Sequence, residues 1–163
     1  MPSTESTLVI LDAGLFIGAL LIGDPRHAEA RLVVEAARRG ELTACTTTGI
    51  LSEVIAALTW HQAQPPQTPA QAADVVRLLI ETPSQIRVLP DGLEQAVRMI
   101  ELCKTHQLPA RRVHDARHAA AAIVHGVTSV LPTTLTIGFA LSQMVFRSLG
   151  LSPPWSDSAG ANW

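Results

Sequence analysis

Apolar positions along the chain follow two alternating rhythms. The run LVIL (Leu8 to Leu11) is continuous and ends at Asp12 and Gly14, the pattern of a strand covered on both faces. From His27 to Arg39, apolar positions around Ala28, Leu32 and Ala36 fall at helical spacing, and Gly40 directly beyond marks the helix end. ELTACTT, from Glu41, reads as a second strand, and TTGILSEVIAALTW then puts Ile50, Val54, Ala57 and Leu58 on one helical stripe with Glu53 beside it. Gln64 to Pro69 (QPPQTP) is a Pro-rich connection, and Pro69 opens a helix over AQAADVVRLLIE. IRVLP predicts a third strand and LEQAVRMIELCKTHQ an amphipathic helix. After Pro109, VHDARHAAAAIVHG predicts an Ala-rich helix stopped at Gly126, and VTSVL a fourth strand. No internal repeat is present.

Strands separated by helices, with the strands apolar throughout, predict a parallel sheet covered on both faces. Ligands of such sheets gather at the carboxyl ends of the strands. Asp12 closes the first apolar run, Glu53 follows the second strand by one or two helical turns, and Asp115 opens the helix before the fourth strand. All three acids are thereby expected at one crevice.

Composition narrows the reading. With 163 residues, 47% of them hydrophobic, the chain can bury one ordinary core without staples. Twelve Lys and Arg against 14 Asp and Glu leave a formal charge of -2, so no global positive field holds nucleic acid and any such contact must be local. Cys45 and Cys103 are far apart with no C-x-x-C partner, which argues against zinc and against a secreted disulfide framework and for a reducing cytoplasm. Asp12 interrupts the apolar stretch near the N-terminus, so neither a signal peptide nor a membrane span is expected.

Carboxylates held together repel one another unless a cation neutralises them. Mg²⁺ and Mn²⁺ take oxygen ligands and suit phosphodiester hydrolysis, stabilising phosphate charge and activating a bound water. Each acid also has a plainer reading. Asp12 and Asp115 could cap helices, and Glu53 could stand at a wet edge.

Taken in order, VILDAGLFIGAL, TTGILSEVIAAL and VHDARHAAAAIVHGVTSVL resemble the PIN-domain proteins, in particular the VapC-type ribonuclease toxins of bacterial toxin-antitoxin pairs, over about residues 7 to 131. The resemblance implies a three-layer α/β/α domain with a central parallel sheet and makes Asp12, Glu53 and Asp115 the metal-binding and catalytic acids. It further implies dependence on Mg²⁺ or Mn²⁺, endonucleolytic cleavage of RNA, a homodimer, and a cognate antitoxin whose C-terminal segment covers the groove.

Two departures stand out. Ala13 and Gly14 follow the first acid where many family members carry Thr or Ser and then Asn or Ser. The family's fourth strand usually continues into T-x-D/N-x-x-D-F/W, whereas this chain reads Thr133, Thr134, Leu135, Thr136, Ile137, Gly138, Phe139, with Gly138 where an acid belongs. From Pro132 onward only Asp157 is acidic, so residues 132–163 are read as an atypical segment, outside the PIN-like domain at 1–131. The genetic code suggests a cause. Thr codons begin AC and Ile codons AT, so codons taken from the third base turn Thr133, Thr134, Thr136 and Ile137 into Tyr, His, Asn or Asp. Gly138 becomes Trp or Arg, Pro132 permits Thr and Leu135 permits Val, which is compatible with T-Y-D-V-D-D-W. Met144 and Val145 then force Gly, preceded by Asn or Asp, a turn dipeptide. The expectation is that a small insertion or deletion near Val130 has replaced the last strand and catalytic acid with out-of-frame sequence.

Arg111, Arg112 and Arg117 near Asp115 are candidate contacts to RNA phosphate, against the alternative of a solvated basic face. His114 and His118 are four apart, but no third ligand with zinc spacing accompanies them, and they are expected as polar residues near the groove. With no Tyr and few aromatics, base stacking gives way to recognition by shape, backbone and metal. Trp60 is expected in the core or a dimer interface. Two rivals remain: a non-catalytic PIN-fold module that dimerises and binds an antitoxin, and a receiver-like phosphoacceptor domain, which the position of the sole lysine, Lys104, disfavours.

Overall fold

The computed structural model describes residues 7–131. Residues 132–163, with the altered stretch at Thr133 to Phe139, Trp155, Asp157 and Trp163, lie outside the described residues. Four strands, β1 (Val9–Leu11), β2 (Ala44–Thr47), β3 (Arg87–Leu89) and β4 (Ser129–Leu131), form one parallel sheet in the order β3-β2-β1-β4. Val9 pairs with Ala44 on one side and Ser129 on the other, so β1 is central. Helices α1 (Ala13–Leu20), α2 (His27–Arg38), α3 (Thr48–Thr59), α4 (Pro69–Ile80), α5 (Leu93–His106) and α6 (Val113–Val124) flank it in the expected three-layer α/β/α arrangement, with α1 packed on α2 and α3, and α6 on α5 and α3.

Local chemistry sets the element ends. Thr68 and Gln71 form a reciprocal capping box ahead of α4, Gln71 Oε1 accepting from the Thr68 N–H at 2.9 Å, and Pro69 fills the first helical position. Gly40 and Gly126, at φ 77° and 66°, take the left-handed conformation just past α2 and α6. The core joins Ile10 and Leu11 of β1, Phe16 of α1, and Ile50, Val54 and Leu58 of α3. Ala116, Ala119, Ala120 and Ala122 lie flat against the same core, so α6 approaches it closely.

Three expectations need correction. In α2 the buried stripe is Ala30, Val34 and Ala37, and Leu32 is exposed; with alanines at 28, 30, 36 and 37, the apolar period fits two faces, and packing chooses the one carrying Val34. β3 is not covered on both faces, because as an edge strand it leaves Arg87 and Val88 exposed. Of the two places expected for Trp60, the core is excluded: it sits at the C-cap of α3, 55% exposed, with its ring edge-on to His61 at 5.7 Å. Both cysteines are free, and burial pushes the pKa of the Cys45 thiol up to about 11. Among the described residues, no helix is long and apolar enough to cross a membrane.

Phe16 has no exposed surface, so Phe16→Ala is expected to cost about 3–5 kcal/mol in urea unfolding. Leu93→Ala, at an exposed position, is expected to stay within about 0.5 kcal/mol.

Candidate active site

The sheet order reverses at β1: β2 and β3 extend to one side and β4 returns to the other. The crevice outside the carboxyl ends of the strands at such a reversal is where open parallel sheets take their ligands. Asp12 is the first residue beyond β1 and so occupies this point. It also caps α1, its Oδ1 accepting from the Ala13 N–H at 2.8 Å. The capping reading therefore holds for Asp12 without competing with a site, since a carboxylate keeps further lone pairs.

α3 starts immediately after β2, capped by Thr47, whose Oγ1 accepts from the Ile50 N–H at 3.2 Å. Its first turns thus leave from the same carboxyl edge and carry Glu53. Glu53 Oε1 is 3.0 Å from His118 Nε2 and 3.3 Å from His114 Nδ1. Asp115 lies in the first turn of α6 but does not cap it; the N-cap is Arg112, which makes no side-chain cap bond. Instead Asp115 pairs with Arg112 Nε at 3.2 Å.

Electrostatics ties the three acids together. Burial is the main cause that pushes the Asp115 carboxyl above the ordinary Asp value; Arg112 and His118 oppose it, while the charges of Asp12 and Glu53 push it further up. Burial also acts to raise Glu53, but the hydrogen bond and charge of His118, with His114 and Arg117 adding, outweigh it and hold Glu53 below its usual value.

Each carboxylate is turned to its own partner, and among the described residues no three His, Cys, Asp or Glu side chains close on a common ion as they stand. The donor set nevertheless fits a hard divalent cation. Asp12, Glu53 and Asp115 offer oxygen only, and a cation would favour the charged form of Asp115 against its burial and the smaller repulsion from Asp12 and Glu53.

The candidate RNA-contacting arginines divide. Arg112 is held by Asp115. Arg117 Nη2 is 3.2 Å from Asp91 Oδ2, and its guanidinium lies over Gly49 so closely that a Cβ there would come within 2.6 Å of Cζ. Arg111 is exposed in the 3₁₀ turn at Ala110–Arg112.

His118, expected as a polar residue near the groove, is only 4% exposed and lies nearer to Glu53 than His114 does. The readable signal was its place on the helix that carries Asp115, one turn after His114. In His118→Phe, loss of the hydrogen bond and charge leaves burial to act, and the Glu53 pKa is expected to rise. Carboxyl-detected NMR titration checks this, and an unmoved Glu53 contradicts it.

Comparison with known proteins agrees with this architecture. The crystal structure of VapC20 from Mycobacterium tuberculosis, described as a toxin that cleaves the sarcin-ricin loop, superposes with a TM-score of 0.57 at 14% identity, covering 81% of this chain and 94% of that one. No curated protein is detectably similar in sequence. The PIN domain family model matches residues 9–134, which takes in all four strands and all three acids, and on that match the chain belongs to the PIN-domain family.

Proposed function

We propose that the protein is a divalent-metal-dependent endoribonuclease of the VapC toxin type, in which Asp12, Glu53 and Asp115 hold Mg²⁺ or Mn²⁺. The observation that carries this reading is the delivery of three carboxylates from three elements to the reversal point of the sheet, where Asp12 and Glu53 both act on the charge of Asp115. A bound ion supplies charge stabilisation at the scissile phosphate and a more acidic water. The chain's own groups do the rest. His118 and His114 fix the Glu53 carboxylate, while Arg112 and Arg117, with Arg111 nearby, supply positive charge for the RNA backbone. Partners on this reading are RNA, a cognate antitoxin and a second copy of the chain. The sarcin-ricin loop named for VapC20 is a natural first substrate.

Gly138, at the family's fourth acidic position, favours a second reading, a PIN-fold module that binds its antitoxin without cutting RNA. Three acids without the fourth would hold an ion more weakly, so reduced activity fits between the two. The shifted-frame proposal gives a reason for Gly138: an insertion or deletion near Val130 has replaced the last acidic segment.

On a structured RNA containing a sarcin-ricin loop, cleavage is expected with Mg²⁺ or Mn²⁺ and none in EDTA. Asp12→Asn, Glu53→Gln and Asp115→Asn should each lower the rate by on the order of a hundredfold or more. Metal-dependent cleavage that survives Asp12→Asn removes the mechanism, and a wild-type chain that binds RNA but never cuts it supports the non-catalytic module. Sequencing the gene is expected to show Asp codons in the shifted frame opposite Thr134 and Thr136 or Ile137; their absence ends the frame proposal.

A further inference from the structure

A cavity of about 220 Å³ lies at the N-terminus of α5, lined by Asp91, Gly92, Gln95, Ala96, Met99 and Arg117. It lies just past the carboxyl end of β3, at the opposite edge of the sheet from β4. Three independent features meet in it. Gly92 caps the 14-residue α5 with no side-chain hydrogen bond, so the first-turn N–H groups of Leu93, Glu94 and Gln95 have no acceptor within the helix and face an anion-favouring end. Arg117 is held there by Asp91, and its charge is also felt at Glu53, which links this cavity to the acids. Gln95 is 5% exposed, and its Oε1 is buried with no hydrogen-bond partner. A buried polar atom without a partner is costly, so a ligand group that pairs with it is recognised strongly.

The geometry points to a ribonucleotide subsite, an inference that rests on the ribonuclease reading above. We propose that the nucleotide adjoining the scissile position docks here, its phosphate on Arg117 and the first-turn N–H groups of α5 and its ribose 2′-hydroxyl on the Gln95 amide. A hydroxyl both donates and accepts, so it satisfies the amide whichever end is presented. The 2′-hydroxyl is the group that separates RNA from DNA, and Gln95 becomes a specificity-determining residue for ribose. Asp91 and Glu94 add negative charge at the helix end. Asp91 and Arg117 compensate each other's charge, so the phosphate is held by the remaining Arg117 N–H donors and the helix N–H groups, and Glu94 is exposed to water, where its repulsion is screened.

Binding of fluorescent oligo(U) and oligo(dU) to the full chain in EDTA tests this without any cleavage. The two probes share a base and differ in the 2′-hydroxyl. Wild-type protein is expected to bind oligo(U) about fivefold more tightly, the worth of roughly one net hydrogen bond. Gln95→Leu, shown to be folded by circular dichroism, should lose that difference while binding oligo(dU) as before. Gly49→Ala, which pushes the Arg117 guanidinium aside, should weaken both probes equally. Equal wild-type binding of the two probes, or a preference that persists in folded Gln95→Leu, overturns the subsite; should Gln95→Leu fail to fold, the wild-type comparison and Gly49→Ala still decide it. The nuclease reading stands or falls separately on Asp12→Asn cleavage. A ribose preference without cleavage leaves the subsite on a binding module, and cleavage without the preference removes the subsite alone.

Discussion

Three carboxylates carried to the mouth of a parallel sheet, one of them pushed above its ordinary value chiefly by burial, set the terms for the candidate site. Burial, Asp12 and Glu53 together push the Asp115 carboxyl upward, with Arg112 and His118 opposing them. The charged form of Asp115 is thereby disfavoured, whereas Glu53 is held below its usual value by His118, His114 and Arg117. The proposed hard cation, with RNA phosphate as its co-ligand, is the counter-charge that gives the arrangement a use.

The surrounding groups restrain this charge without cancelling it. His118 and His114 take Glu53, Arg112 takes Asp115, and the Ala13 N–H takes Asp12, so each carboxylate has a fixed direction. The fold delivers these groups through strand ends and helix starts. α3 begins where β2 stops, Asp12 bridges β1 and α1, and the Ala-rich face of α6 lets the helix carrying Asp115 and His118 lie close to the core. Arg117, over Gly49 and bound to Asp91, extends the polar surface from the acids toward β3 and the N-terminus of α5.

Much of this was legible in the chain. Short apolar runs ending in Asp12 and before Gly49, with Pro69, Gly40 and Gly126 as stops, give the alternation of strand and helix, because those residues act through local backbone geometry. The acids were legible as a set because each stands at a strand end or in the early turns of a helix. What stayed hidden depends on tertiary choice. The buried face of α2 was ambiguous among closely spaced alanines, the exposure of β3 follows from its edge position, and Trp60 falls at a helix end that turns outward. The pairing of His118 with Glu53 joins residues 65 apart in sequence, and no local pattern encodes it. The Gln95 amide beside Arg117 is hidden for the same reason.

Whether the three acids form one cation site is measured most directly by titrating Mn²⁺ into the full chain and following free ion by electron paramagnetic resonance, with Mg²⁺ as competitor. The account predicts saturable binding that Mg²⁺ displaces and that Asp115→Asn abolishes in a folded protein. Mn²⁺ binding that Asp115→Asn, Asp12→Asn and Glu53→Gln all leave unchanged, or no binding by the wild-type chain, would contradict it.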